Sequence, residues 1–328
     1  MYKKWLMVVL KASISGGLLW YAFDGIDLQT AMARLGRVDH RLFAFAMAGL
    51  AVQAGIGGLR WYAVAVAIET PLTFFTSIRL FYIGMFFSQA LPGGTGGDAV
   101  RVYLAFRSGI PLRGAINGVL LERIVAVVAL VLLVDLSQPF FTPLAHFETA
   151  GLIHTTAILI SVATVAGGVF IMSLDRLPGT LQKWKIIRGA GFLAHDSRRV
   201  FLNLRHFVTV MPLGLLTHVN LSFVVYLMAL GLDLQVTFLN CLILVPPVLL
   251  ATTIPLSVGG WGVRESAMMV AFSLIGVPSE GALALSLLLG LAGLAISLPG
   301  GLVWLLSRQP ERNVTLAKMT EELSTSST

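Results

Sequence analysis

From Leu42 to Ile68 the chain carries one charged side chain, Arg60, and five other long stretches are nearly as apolar. About 20 consecutive apolar residues make a helix long enough to cross the hydrocarbon of a bilayer. Lipid offers no hydrogen bonds, so a run of this length satisfies its backbone only by coiling on itself. The runs at about 5–23, 42–68, 114–136, 152–174, 207–230 and 281–306 therefore predict six spanning helices. Composition agrees. Charged residues make up 12%, against about 25% in soluble domains, and the mean hydropathy is +0.85. A soluble core is excluded, and the single Cys241 excludes a disulfide framework or a cysteine metal cage. The net charge of +7 gathers in a few links, which reads as membrane topology and not as nucleic-acid binding. Lys3, Lys4 and the first apolar run have no A-x-A-like cleavage site, so they read as a retained first helix.

Two further apolar elements, about 71–106 and 236–275, are interrupted by the same pattern. The first interruption is Pro92-Gly93-Gly94-Thr95-Gly96-Gly97-Asp98-Ala99-Val100-Arg101. The second is Pro255-Leu256-Ser257-Val258-Gly259-Gly260-Trp261-Gly262-Val263-Arg264. Both read P-x-x-x-G-G-x-x-V-R. Glycine permits the sharp turn a broken helix needs. The arm restarting after Gly97 or Gly260 points a helix N-terminus inward, where it attracts anions.

Charge in the links orients the chain. The link 175–206 holds Arg176, Lys183, Lys185, Arg188, Arg198, Arg199 and Arg205 and is assigned to the cytoplasm, whereas 137–151 has no Lys or Arg and is assigned outside. Both termini then fall inside. The link 24–41 is the misfit, because it lands outside with three arginines. On this count the first broken element enters and leaves from the cytoplasmic face and the second from the outer face. The expected fold is an all-α polytopic membrane protein of two inverted-topology repeats, about 1–137 and 151–310. Each has three spanning helices plus one broken or re-entrant hairpin, in a single transmembrane domain, with a polar cytoplasmic tail at 311–328. Broken helices from opposite faces that meet near the midplane are a transporter arrangement.

Charges inside lipid need partners and mark candidate function. Arg101 and Arg264 sit in the first turns of the restarting arms, where free N–H groups and a guanidinium suit phosphate or carboxylate. Asp98, Glu122 and Glu265 are the acids that could pair with them. The candidate binding set is Arg101, Arg264, Asp98, Glu122, Glu265 and the break glycines Gly96, Gly97, Gly259 and Gly260. The structural alternative is that Asp98 caps its helix and the acids merely neutralise the arginines, Glu265 answering either Arg101 or its neighbour Arg264. Arg60 lies near the inner end of its span and reads as reaching for headgroups, as does Arg123. His218 reads equally as a hydrogen-bonded structural residue or a proton carrier. The basic 175–206 link could lie on anionic lipid or serve as a plain connector. Asp24-Gly25-Ile26-Asp27 is an isolated turn. There is no H-E-x-x-H, no G-x-S-x-G and no P-loop lysine, so neither a catalytic constellation nor a metal or cofactor is expected.

Leu91 through Arg101, then Leu121-Glu122-Arg123, then Pro255 through Gly259-Gly260-Trp261-Gly262-Val263-Arg264-Glu265, resemble the transmembrane region of the lysylphosphatidylglycerol synthase family, also called flippase-like. The resemblance covers about residues 5–306. It implies a membrane region that moves an aminoacylated phospholipid between leaflets, beside a separate C-terminal domain that makes that lipid. Only 22 residues follow Leu306, so no synthase domain is expected here, and lipid handling carries over without lysyl transfer. Stand-alone members are thought to serve other lipids, including polyprenyl-linked sugars and hopanoid-related lipids. The expected partner is thus a membrane lipid of phospholipid, polyprenyl-phosphate or hopanoid type, with self-association left open. The alternatives are a membrane enzyme acting on lipid headgroups, using Glu122, Asp98 or His218 as base, and an accessory subunit whose charges only lock the bundle. The expected location is the inner membrane.

Overall fold

The computed structural model describes residues 13, 16–17, 20, 27–91, 96–141, 147–176, 185–253 and 260–307. All regular structure among them is helical: α1 Leu28–Leu35, α2 His40–Ala67, α3 Phe74–Ala90, α4 Gly96–Arg107, α5 Leu112–Phe141, α6 Phe147–Met172, α7 Lys185–Phe201, α8 Leu204–Gly231, α9 Phe238–Thr253, α10 Val263–Ser273 and α11 Ser279–Leu306. A short 3-10 turn covers Leu174–Arg176. Four helices, with windows at His40–Ala67, His154–Met172, Leu204–Gly231 and Ser279–Leu306, are long and apolar enough to cross a membrane. The predicted first span lies outside the described residues except for a few helical positions. So do residues 92–95 and 254–259, and with them Gly259.

The helices fall into two series of matching lengths. α2, α3, α4 and α5 have 28, 17, 12 and 30 residues; α8, α9, α10 and α11 have 28, 16, 11 and 28. Their ends are built alike. Asp39 caps α2 by accepting from the Arg41 and Leu42 amides, and Asn203 caps α8 by accepting from the Arg205 amide. The Thr73 hydroxyl accepts from the Thr76 amide at the start of α3, and the Thr237 hydroxyl accepts from the Asn240 amide at the start of α9. These caps remove orphan donors that a helix end cannot leave bare. After α2 and α8 the chain turns through left-handed backbone at Glu69 (φ 55°) and Asp233 (φ 56°).

Packing is reciprocal between the series. α2 lies along α8. α3 packs on α11, and α9 packs on α5. Within each series the two short arms contact each other, and the second arm contacts the long helix that follows it. Glycines set the close approaches. A Cβ at Gly300 of α11 would fall 2.2 Å from the Tyr82 carbonyl oxygen, so these backbones touch, and the Tyr82 hydroxyl donates to the Ile296 carbonyl at 2.8 Å. The largest buried cluster lies where α2, α8, α9, α10 and α11 meet, around Val224, Met228, Leu244, Met268, Phe272 and Leu285.

The basic link contains α7, which packs on protein. Its face buries Ala194, Asp196, Ser197 and Val200. The Asn117 amide of α5 donates to Asp196 at 2.6 Å, and Arg113 stacks 3.6 Å from the Phe192 ring centroid. Arg198 pairs with Asp175, and Arg199 with Glu69. Those guanidinium groups hold both carboxyls below their ordinary values. Of the two expectations for this link, lying on lipid or connecting spans, neither anticipated a helix clasped to α5.

Candidate functional site

Three guanidinium groups and two carboxylates converge beside the first break. Arg60 of α2, Arg101 of α4 and Glu122 of α5 are 5%, 4% and 2% exposed, which for charged groups demands pairing. Glu122 is shared between the arginines. One carboxylate oxygen accepts from Arg60 Nε at 3.0 Å and also from Arg60 Nη2; the other accepts from Arg101 Nη1 at 3.0 Å. Arg60 Nη1 donates to the Thr217 hydroxyl of α8 at 2.9 Å. Asp98 receives Arg101 Nη1 at 3.4 Å and pairs with Arg123. The Arg101 guanidinium carbon lies 4.3 Å from the Trp61 ring centroid and 4.7 Å from that of Phe81, desolvated contacts of the kind worth about 2 kcal/mol.

Local sequence dictates this geometry. Gly84 of α3 leaves room for the Arg101 stem, because a Cβ there would sit 2.6 Å from its Cγ and Cδ. Gly97 permits the two arms to touch, since its Cβ would fall 2.1 Å from the Gly84 carbonyl oxygen. Gly96 is tight against Leu91 in the same way. Arg101 is left with two buried nitrogens, Nε and Nη2, whose hydrogens have no partner. A buried donor left unmade is expensive, and the charge sum of the cluster is one positive unit.

A cavity of about 350 Å³ adjoins these groups. Arg60, Arg101, Glu122, Arg123 and Asp98 line it, together with Ser88 and Gln89 near the end of α3, His218 of α8, Thr253 at the end of α9, and Gly293 and Ser297 of α11. The break-proximal ends of both first arms thus open on one space between the two series.

The second break is arranged differently. Glu265 is fully buried and accepts from Arg264 Nη2 at 2.6 Å, from the Ser286 hydroxyl at 3.1 Å and from the Gly262 amide at 2.6 Å. It therefore caps α10 and neutralises Arg264, the second of the two roles expected for it. Arg264 stacks on Trp261 at 4.7 Å and lies against Gly290, where a Cβ would come within 2.3 Å of its Nη2. Gly260 (φ 81°) and Gly262 (φ 87°) take left-handed backbone that glycine adopts without strain. Arg101, Asp98 and Glu122 thus share one cluster, and Arg264 and Glu265 form another that does not line the cavity.

A family model described as the lysylphosphatidylglycerol synthase TM region matches residues 8–301. The chain belongs to this family. A UPF0104 membrane protein of Pyrococcus horikoshii is 23% identical over 200 residues, covering 61% of this chain and 56% of the relative. The match spans little more than half of that relative's length. No solved structure matches.

In this member of the synthase TM family, sequence reasoning misplaced Arg60. Expected to reach the membrane surface, it instead turns into the protein, where Glu122 and Thr217 satisfy it. The signal was present, since Gly49, Gln53, Gly57 and Arg60 share one small, polar stripe of α2. Arg123 likewise pairs with Asp98 while remaining half exposed. Trp61, Phe81 and Thr217 carried no sequence signal, because aromatic and hydroxyl side chains are ordinary in apolar helices. Among the described residues no group of three or more His, Cys, Asp or Glu could hold a metal ion.

Proposed function

We propose that this multi-pass membrane protein binds an anionic, phosphate-bearing lipid headgroup in the cavity beside Arg101 and carries it between leaflets. The observation that carries the reading is the Arg101 guanidinium: buried, stacked on Trp61, left with two nitrogens that have no partner, and part of the lining of a cavity whose charges sum to one positive unit. An oxyanion supplies both missing acceptors and the missing charge. The lipid is a phospholipid, polyprenyl-phosphate or hopanoid-type lipid. We further propose that the two helix series are inverted repeats, that both termini are cytoplasmic in an inner membrane, and that Gly96, Gly97, Gly259, Gly260, Arg264 and Glu265 serve the breaks that let the halves move.

A headgroup-modifying enzyme is the weaker reading, because both Glu122 oxygens are held by arginines and Asp98 is paired with Arg101 and Arg123, which leaves His218 as the one candidate base with an open lone pair. The test is movement of acyl-labelled phosphatidylglycerol across proteoliposomes. Arg101→Gln should slow it at least about ten-fold, the scale of losing charge-assisted bonds. Unchanged movement would remove Arg101 from the site.

A further inference from the structure

We propose that the same cavity reads a second feature of the headgroup, a hydroxyl that donates a hydrogen bond to Nδ1 of His218. This rests on the headgroup reading above and makes it more specific. His218 is 8% exposed and lines the cavity with Arg101. Its Nε2 lies 2.9 Å from the Ala126 carbonyl oxygen. A carbonyl only accepts, so Nε2 carries the hydrogen, and in the neutral ring Nδ1 then presents a lone pair. That Nδ1 is buried and has no partner. A second ring hydrogen would add positive charge to a lining in which Arg60, Arg101 and Arg123 already outnumber Asp98 and Glu122 by one.

Two residues that line the cavity thus carry complementary unpartnered atoms: donors without acceptors on Arg101 and an acceptor without a donor on His218. A phosphate alone completes the first. A phosphate whose alcohol bears a further hydroxyl completes both. An ammonium would also donate, but it would add positive charge to a lining that already sums to one positive unit, so the hydroxyl is the favoured donor. Bound water is the competing occupant of such a polar recess, and it predicts no discrimination between lipids.

The experiment offers the purified full chain an equimolar mixture of phosphatidylglycerol and phosphatidylmethanol with identical acyl chains. Each carries one negative charge; phosphatidylglycerol adds two carbons and two hydroxyls, so the hydroxyl assignment is read from the His218 variants. Retained lipid is read by native mass spectrometry, so the result does not depend on transport. The wild type should retain phosphatidylglycerol over phosphatidylmethanol by about five- to ten-fold, the scale of one neutral hydrogen bond. His218→Phe should bring that ratio to about one through loss of phosphatidylglycerol, leaving phosphatidylmethanol unchanged. His218→Gln, whose amide oxygen accepts, should restore most of the preference. A wild-type ratio near one overturns the inference, as does a His218→Phe protein that loses both lipids equally. Preferential retention of phosphatidylethanolamine over phosphatidylglycerol overturns the hydroxyl assignment. A chain that retains none of the lipids overturns the headgroup reading as well.

Discussion

Glu122 bears on two arginines at once, and that sets the order in which substitutions should hurt. Removing one member of a buried ion pair costs about 3–5 kcal/mol, mostly because the survivor stays buried and unpaired. In Glu122→Gln both Arg60 and Arg101 lose their carboxylate, although Thr217 and Asp98 still hold one nitrogen of each. In Arg101→Gln the Glu122 carboxylate keeps Arg60, and Asp98 keeps Arg123. We therefore expect Glu122→Gln to destabilise by about 3–5 kcal/mol and Arg101→Gln by clearly less, measured as thermal unfolding in detergent. The reverse order would mean that the stacking of Arg101 on Trp61 matters more than the shared carboxylate. Much of this cluster was legible in the sequence, since Arg101, Asp98 and Glu122 are charges in apolar surroundings. Arg60 was misread because distance to the membrane surface is a one-dimensional estimate. A partner on another helix, here 62 positions away in the chain, becomes visible only when the helices are packed.

At the scale of elements, the break works because the two arms of the first hairpin can touch. A Cβ on Gly97 would fall 2.1 Å from both the Gly84 carbonyl oxygen and the Ser88 hydroxyl, and backbone cannot yield as a flexible side chain does. Gly97→Ala should therefore separate α3 from α4 and cost about 1–3 kcal/mol, the usual range for overpacking. Gly168→Ala, on α6 with nothing within 4 Å of the added methyl, is the control. It should leave stability unchanged or raise it slightly, since alanine is the better helix former by about 1 kcal/mol. Thermal melts of the two variants decide the matter; equal melts would show that the arms have slack. Element boundaries were legible to within a few residues, since the apolar runs expected from about 42, 71, 207 and 236 begin as helices at His40, Phe74, Leu204 and Phe238; the caps Asp39, Thr73, Asn203 and Thr237 became visible only in the structure. The clasp of α7 was not, because a basic link reads the same in sequence whether its arginines face lipid phosphates or the carboxylates of Glu69 and Asp175.

For the whole molecule, the decisive quantity is the sense in which each series crosses the membrane. The sequence supplied a motif repeated at a spacing of 163 and a count of basic residues. The structure adds matched helix lengths, matched caps and reciprocal packing, in which each short first arm leans on the long last helix of the other series. In each series the first arm also packs on the long helix before it, α3 on α2 and α9 on α8. Opposite entry faces then follow only if an odd number of crossings separates the series. That condition can be measured by the accessibility of engineered cysteines. Ser108, just after α4, and Ser273, at the end of α10, are both exposed and end equivalent arms. The native Cys241 is fully buried and should contribute little background. In intact cells a membrane-impermeant maleimide should label Ser273→Cys and leave Ser108→Cys untouched; opening the cells should expose Ser108→Cys. Labelling of both from one face would mean that the series are parallel, and the headgroup would then have to leave the cavity by the face through which it entered. Opposite labelling gives the Arg101 cavity one hairpin from each face, so that tilting one series against the other could expose the same guanidinium to each leaflet in turn.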